Sequence, residues 1–257
     1  VTSQEQLMYQ ILGKLFETNA PIVFKGALIT KLVLNESGYK DIERMTKDID
    51  GDWVGTPPTM EQLVETINQS LIDFQGELYA VAGREYLNEQ TAGINILDKE
   101  TNEKVISMDI GIRPVRGNRT YYYGTAKIKG VLPNDILSDK IAVLSSKTVF
   151  RRAKDIVDVY ALSHCVKISI FEILNACKEK DIEIGLFDEF YLRKADIKHA
   201  YDKLRGVERK PDFEIVYSHL SEFLRPFAER NMSDCVWDNI NKKWGNKTKK
   251  RVNNYLL

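Results

Sequence analysis

The strongest chemical signal in this sequence is a small set of aspartates. In Thr46-Lys47-Asp48-Ile49-Asp50 two carboxylates stand two residues apart. Side chains alternate along a strand, so Asp48 and Asp50 are expected to share one face. Side by side, two carboxylates raise each other's proton affinity, a cost that a hard cation such as Mg²⁺ or Mn²⁺ relieves. In the later run Val105 to Ile112, Ile106, Met108, Ile110 and Ile112 occupy one face and Asp109 the other. Asp109 is therefore expected to join Asp48 and Asp50 across a sheet. Three carboxylates on one sheet face can hold divalent metal against the phosphates of a transferring group. The competing structural reading of such acids is a solvated strand edge.

Lys25-Gly26-Ala27 lies where a short apolar strand meets a helical pattern. A missing Cβ there lets backbone N–H groups and a helix N-terminus approach a phosphate. Lys25, Lys31 and Lys47 flank this turn and the acid pair, and can add positive charge or stay solvated.

The elements that must position these groups follow from periodicity. Leu7, Ile11, Leu12 and Leu15 predict an amphipathic helix over 3–18, residues 21–24 a buried strand, and residues 27–34 a second helix. A strand is expected over 46–54. Pro57-Pro58 ends it, and Thr59 with Gln62 forms a capping box for a helix reaching about residue 74. Three strands are expected over 77–86, 91–97 and 104–112, the last two joined as an antiparallel hairpin through the polar residues 98–103. After Pro133 the period becomes helical, as in Phe171, Leu174 and Cys177, or Phe213, Val216, Leu220, Phe223 and Leu224. The chain thus divides near residue 130, with a mixed α and β part first and a helical bundle after it.

Composition narrows the class. Lys plus Arg and Asp plus Glu each number 37, so no global positive field marks a general nucleic-acid binder. Contact with a polyanion must come from local patches. Arg113, Arg116 and Arg119, interleaved with Tyr121, Tyr122 and Tyr123 and followed by Lys127 and Lys129, form one such patch; a charged sheet edge is the alternative. The basic run from Lys242 to Arg251 is another. Cys165, Cys177 and Cys235 are odd in number and lack C-x-x-C spacing, and the three histidines lack zinc spacing. Reduced thiols and a cytoplasmic location are expected. There is no membrane-length apolar run, and the opening VTSQEQLMYQ has no secretory pattern.

Together, F-K-G-A, T-K-D-I-D and M-D-I-G resemble the nucleotidyltransferase pattern of the DNA polymerase β superfamily. Leu137-Ser138-Asp139-Lys140 and the stretch Arg151 to Tyr160, with Lys154-Asp155-Ile156-Val157-Asp158 inside it, are similar to the AbiEii/AbiGii abortive-infection toxin family. The chain carries Gly26-Ala27 where that family commonly has Gly-Gly or Gly-Ser, and Lys154 in place of an arginine. Read without the resemblance, Arg151 with Asp155 and Lys154 with Asp158 are i,i+4 pairs on an exposed helix.

The resemblance implies an α+β fold: a mixed-sheet, polymerase-β-like nucleotidyltransferase core over 1–130, then a helical domain over 131–257 that brings Lys140 and Asp155 to the site. It implies Asp48, Asp50, Asp109, Lys140 and Asp155 as catalytic residues. Lys25, Gly26, Ala27, Lys140 and Asp158 would bind the NTP, while the acceptor would fall to Arg113, Arg116 and Arg119 on the pattern of the residues themselves. It further implies tRNA as acceptor and a cognate antitoxin as partner. Transfer to a small molecule or a protein hydroxyl, or a silent nucleotide- or RNA-binding module, are the rival readings.

Overall fold

In a computed structural model, residues 3–72, 74, 77–87, 90–230 and 235–246 are described. The first half comprises α1 (Ser3–Glu17), β1 (Ile22–Lys25), α2 (Gly26–Glu36), β2 (Glu43–Arg44), β3 (Asp48–Trp53), α3 (Met60–Leu71), β4 (Leu78–Leu87), β5 (Thr91–Asp98), β6 (Lys104–Gly111), β7 (Asn118–Tyr123) and β8 (Ala126–Val131). The second comprises α4 (Pro133–Leu144), α5 (Ala153–Cys165), β9 (Ile168–Ser169), α6 (Ile170–Glu179), α7 (Asp188–Leu192), α8 (Lys194–Asp202), β10 (Val207–Arg209), α9 (Phe213–Ala228), β11 (Cys235–Asp238) and β12 (Lys243–Asn246).

The fold is α+β around a seven-stranded mixed sheet in the order β4-β5-β6-β3-β1-β8-β7. β3 runs parallel to β6, and β1 parallel to β8, while β1 and β3 are antiparallel. The alternation expected of β6 holds: Ile106, Met108 and Ile110 are buried beneath the sheet. Ile94 and Ile96 of β5 and Ile49 of β3 continue that core, so the acids on the same strands are left on the opposite face. Thr59 and Gln62 form the expected capping box, each bonding the other's backbone N–H, and α3 begins at the next residue.

α4 starts at Pro133, whose fixed φ suits the first turn of a helix, directly after strand β8. Both α4 and α5 pack against α2, which sets the helices beside the sheet's chemical face. The second half is not helices alone. β11 and β12 form a hairpin with β9 alongside, in which Trp237 pairs with Trp244, and β10 pairs with β2 from the first half. Lys242 and Lys243 therefore belong to this hairpin; residues 247–251 of the basic run lie outside the described residues. The core face of α6 is Ile170, Ile173 and Cys177, whereas Phe171 is exposed, because the helix starts at Ile170 and its apolar stripe is set one residue from the expected one.

Candidate active site

Strand register brings the acids together. Asp50 of β3 pairs with Asp109 of β6 in parallel, and with Lys25 of β1 on its other side. Neighbouring strands lie about 4.8 Å apart, so Asp50 and Asp109 are adjacent on one face, with Asp48 two residues along. Asp50 is the inner member. Burial pushes its carboxyl up to about 6, with Asp109 and Asp48 adding to the rise and Lys25 and Lys140 opposing it. An acid in this position gains from any cation that joins it.

Gly26 explains how a helix can begin against that carboxylate. Its φ is +69°, and a Cβ there would stand 2.2 Å from Asp50 Oδ2. Only glycine adopts this conformation readily and leaves the space. α2 then starts with neither an acidic residue in its first turn nor, among the described residues, a side-chain cap. Its first N–H groups and its positive end are left to meet an anion beside Asp50.

Lys140 stands opposite, on α4. Burial opposes its charge, yet Asp158 and Asp155 carry its pKa above the ordinary lysine value. Its ammonium donates to Asp155 at 2.9 Å and lies 2.8 Å from Asp158. Asp158 is buried and also receives Arg44; burial opposes its charge, but Lys140 and Arg44 hold its pKa below the usual carboxylate range. Two cations and two anions thus balance, and Arg44 on β2 ties the sheet half to α5. The exposed i,i+4 helix pairs that the sequence allows are superseded, since Asp155 and Asp158 turn inward to Lys140.

A cavity of about 190 Å³ is lined by Lys25, Gly26, Asp50, Asp139, Lys140, Arg152 and Asp155. Five predicted site residues, drawn from both halves of the chain, therefore share one space. Ala27 and Asp158 instead line a neighbouring cavity of about 230 Å³ with Lys31 and Arg44. Asp48 and Asp109 are more open to solvent, on the bare face of the sheet.

Two groups of predicted residues have partners that the sequence did not indicate. Among the described residues, no three His, Cys, Asp or Glu side chains converge into a metal-binding group. Asp109 Oδ1 accepts a hydrogen bond at 2.9 Å from Arg84, so the triad of acids does not close on one point. The donor set is still all oxygen, and Asp50 is held beside like charges, which fits a hard cation completed by phosphate oxygens better than a cage of protein alone. The arginine patch is also not a common free surface. Arg116 is drawn to Asp135, Glu172 and Glu179, and Arg119 to Glu36 and the Tyr121 ring, while Arg113 donates to Gln90. Of the three tyrosines, Tyr121 is buried, donating its hydroxyl to the Val131 carbonyl, and Tyr123 stacks on Tyr9; Tyr122 alone of them is exposed.

Four further residues support the site. Asp52 continues the period of Asp48 and Asp50, a signal present in the sequence, and takes the Lys25 ammonium on both oxygens at 2.6 Å. Lys25 therefore reaches Asp50 through its field while its bonds go to Asp52. Glu5 of α1 is buried and binds Lys31 and the Thr46 backbone N–H, fixing the entry to β3. Arg44 and Arg84 carry no local signal.

A half-buried acid that gains from a cation, set against a helix N-terminus that can take an anion, is an arrangement suited to a phosphate ester. The chain belongs to the AbiEii nucleotidyl transferase toxin family of type IV toxin–antitoxin systems, whose family model matches residues 7–231. Among solved structures it is similar to the nucleotidyltransferase toxin MenT4 of Mycobacterium tuberculosis, with 13% identity and a TM-score of 0.43 over 88% of this chain and 90% of that one. It is also similar to an antigenic nucleotidyltransferase-like protein of Paracoccidioides brasiliensis, with 15% identity and a TM-score of 0.46 over 84% and 96%. No curated protein sequence matches it. Among the described residues, no helix is long and apolar enough to cross a membrane.

Proposed function

We propose that this protein transfers a nucleotide from an NTP to a hydroxyl of tRNA, releasing pyrophosphate, and that it does so as a toxin restrained by a cognate antitoxin. The observation that carries the reading is Gly26 packed against Asp50: a helix N-terminus begins against a half-buried acid at the centre of the sheet. A divalent ion, Mg²⁺ or Mn²⁺, would be held by Asp50 with Asp48, and by Asp109 once that carboxylate is free of Arg84, and would supply charge neutralisation at the phosphates. The backbone N–H groups at the start of α2 would bind phosphate oxygens, and Lys140 would place its positive charge on the same group from the far wall of the cavity. Asp155 and Asp158 keep Lys140 charged and aimed.

In the reaction the acceptor oxygen bonds to the α-phosphorus while the bond to the departing pyrophosphate breaks. The hydroxyl proton goes to Asp109, whose Oδ2 is not the oxygen bonded by Arg84. The test is incubation of the purified chain with each labelled NTP and Mg²⁺, together with total tRNA, small hydroxylated acceptors or protein. Label on tRNA, lost with Asp50→Asn, is the expected outcome. Label only on a small molecule or a protein would overturn the tRNA assignment, and NTP binding without label on any acceptor would favour a silent binding module.

A further inference from the structure

Arg84 reaches Asp109 from two strands away. It lies on β4, Asp109 lies on β6, and Gly93 of β5 stands between them, paired with Arg84 on one side and with Asp109 on the other. A Cβ at Gly93 would meet the Arg84 Cβ at 3.1 Å and Asp109 Oδ1 at 3.6 Å. The missing side chain is what opens the path across β5. The pairing of β4 with β5 also shifts register on both sides of Arg84, between Ala82 and Arg84 and again between Arg84 and Leu87. Such irregularities re-aim side chains next to functional sites. The guanidinium so delivered is bonded to one carboxylate oxygen, and both side chains remain nearly half exposed.

We propose that Arg84 is the resident counter-cation of Asp109, which a divalent ion must displace or crowd in order to use that carboxylate, so that metal binding is coupled to arrival of the triphosphate. The proposal rests on the metal-dependent reading above. In the nucleotide-free protein Asp109 is already neutralised, so the acid face offers a cation less charge than three aspartates would. Arriving phosphate oxygens give the guanidinium another partner of matching geometry, and Asp109 is then released to the metal. Arg84 acts as a positioning residue for Asp109.

The test is Mn²⁺ binding to the full chain without nucleotide, read from the electron paramagnetic resonance signal of free Mn²⁺, for the wild type, Arg84→Gln, Asp109→Asn and the double variant. Removing a unit charge a few ångströms from a divalent ion in a water-like medium is expected to tighten Mn²⁺ roughly tenfold in Arg84→Gln. Against Asp109→Asn the same change should alter affinity less than about twofold, since the cycle isolates the pair. With a non-hydrolysable NTP analogue present, the gain from Arg84→Gln should shrink. Equal Mn²⁺ affinity in the wild type and Arg84→Gln overturns the proposal, as does a gain that persists without Asp109. Both side chains are partly exposed, so folding is verified by circular dichroism on the same samples. No Mn²⁺ uptake by any variant, with or without analogue, overturns this inference and the metal-dependent reading together. An intact Mn²⁺ cycle with no transfer to any acceptor supports the inference and removes only the functional reading.

Discussion

Replacing Asp50 by asparagine should stabilise the metal-free fold while abolishing transfer, a pairing of effects that a purely structural aspartate would not give. The native carboxyl is raised from 3.8 to about 6, first by burial and then by Asp109 and Asp48 against the pull of Lys25 and Lys140. Between those two values the folded state binds the proton that the unfolded chain has lost. Stability therefore falls as pH rises from about 4 to about 6, and the loss is complete above it. The shift corresponds to about 3 kcal/mol, an order-of-magnitude figure at about 1.4 kcal/mol for each pH unit. The asparagine side chain would have the same shape and no charge, so Asp50→Asn should exceed the wild type by up to about 3 kcal/mol at pH 8 and match it near pH 4. Urea unfolding in chelator at the two pH values measures this as a shift in midpoint with unchanged slope. Adding Mn²⁺ should restore wild-type stability at pH 8 and leave Asp50→Asn nearly unaffected, because a cation bound to the native state stabilises only a site that holds it. An Asp50→Asn protein no more stable than the wild type at pH 8 would refute the argument that this acid is held at an energetic cost for function.

The remaining predictions address the frame around Asp50. Gly26→Ala should lower stability by at least about 1–2 kcal/mol from the positive φ alone, and should abolish nucleotide binding by displacing Asp50; calorimetry and NTP titration check both. Asp158→Ala should cost about 3–5 kcal/mol by leaving Lys140 and Arg44 underpaired in a buried site, whereas Asp155→Ala, at a more exposed carboxylate, should cost less in urea unfolding. Arg119→Ala should change stability by no more than about 1 kcal/mol, since its pair with Glu36 is exposed, and thermal melting at low and high salt will show whether the effect is screened. Mn²⁺ affinity should weaken on the acid side as pH drops through about 6, because a proton on the metal-free Asp50 competes with the cation; Mn²⁺ titrations across that range test the direction.

Local alternation and turn chemistry were sufficient to assign the sheet strands around the acids. Ile106, Met108 and Ile110 lie in the core, so Asp109 must face away, and the period of two puts Asp48 and Asp50 on one side of β3 whatever the rest of the chain does. The strand-to-helix change at Gly26 and the capping box at Thr59 were legible for the same reason: each depends on bonds made within a few residues. The motif around Lys140, Asp155 and Asp158 was visible through family likeness, while its geometry was not, because spacing alone also allowed an exposed helix with i,i+4 pairs.

What the tertiary structure decided were the partners across long separations. Whether Asp158 is solvated or buried depends on Arg44, 114 residues away, arriving on β2. Whether Arg116 and Arg119 are free for an acceptor depends on acids carried by α6, α4 and α2. Whether Asp109 meets the other acids or turns to Arg84 depends on a glycine in the strand between them and a register shift in β4. Sequence determines the face a side chain takes, since that follows from the pleat beneath it. The charge standing opposite is set by how distant strands and helices pack, and in this protein that packing gives Asp52 to Lys25, Asp109 to Arg84 and Asp158 to Lys140 and Arg44.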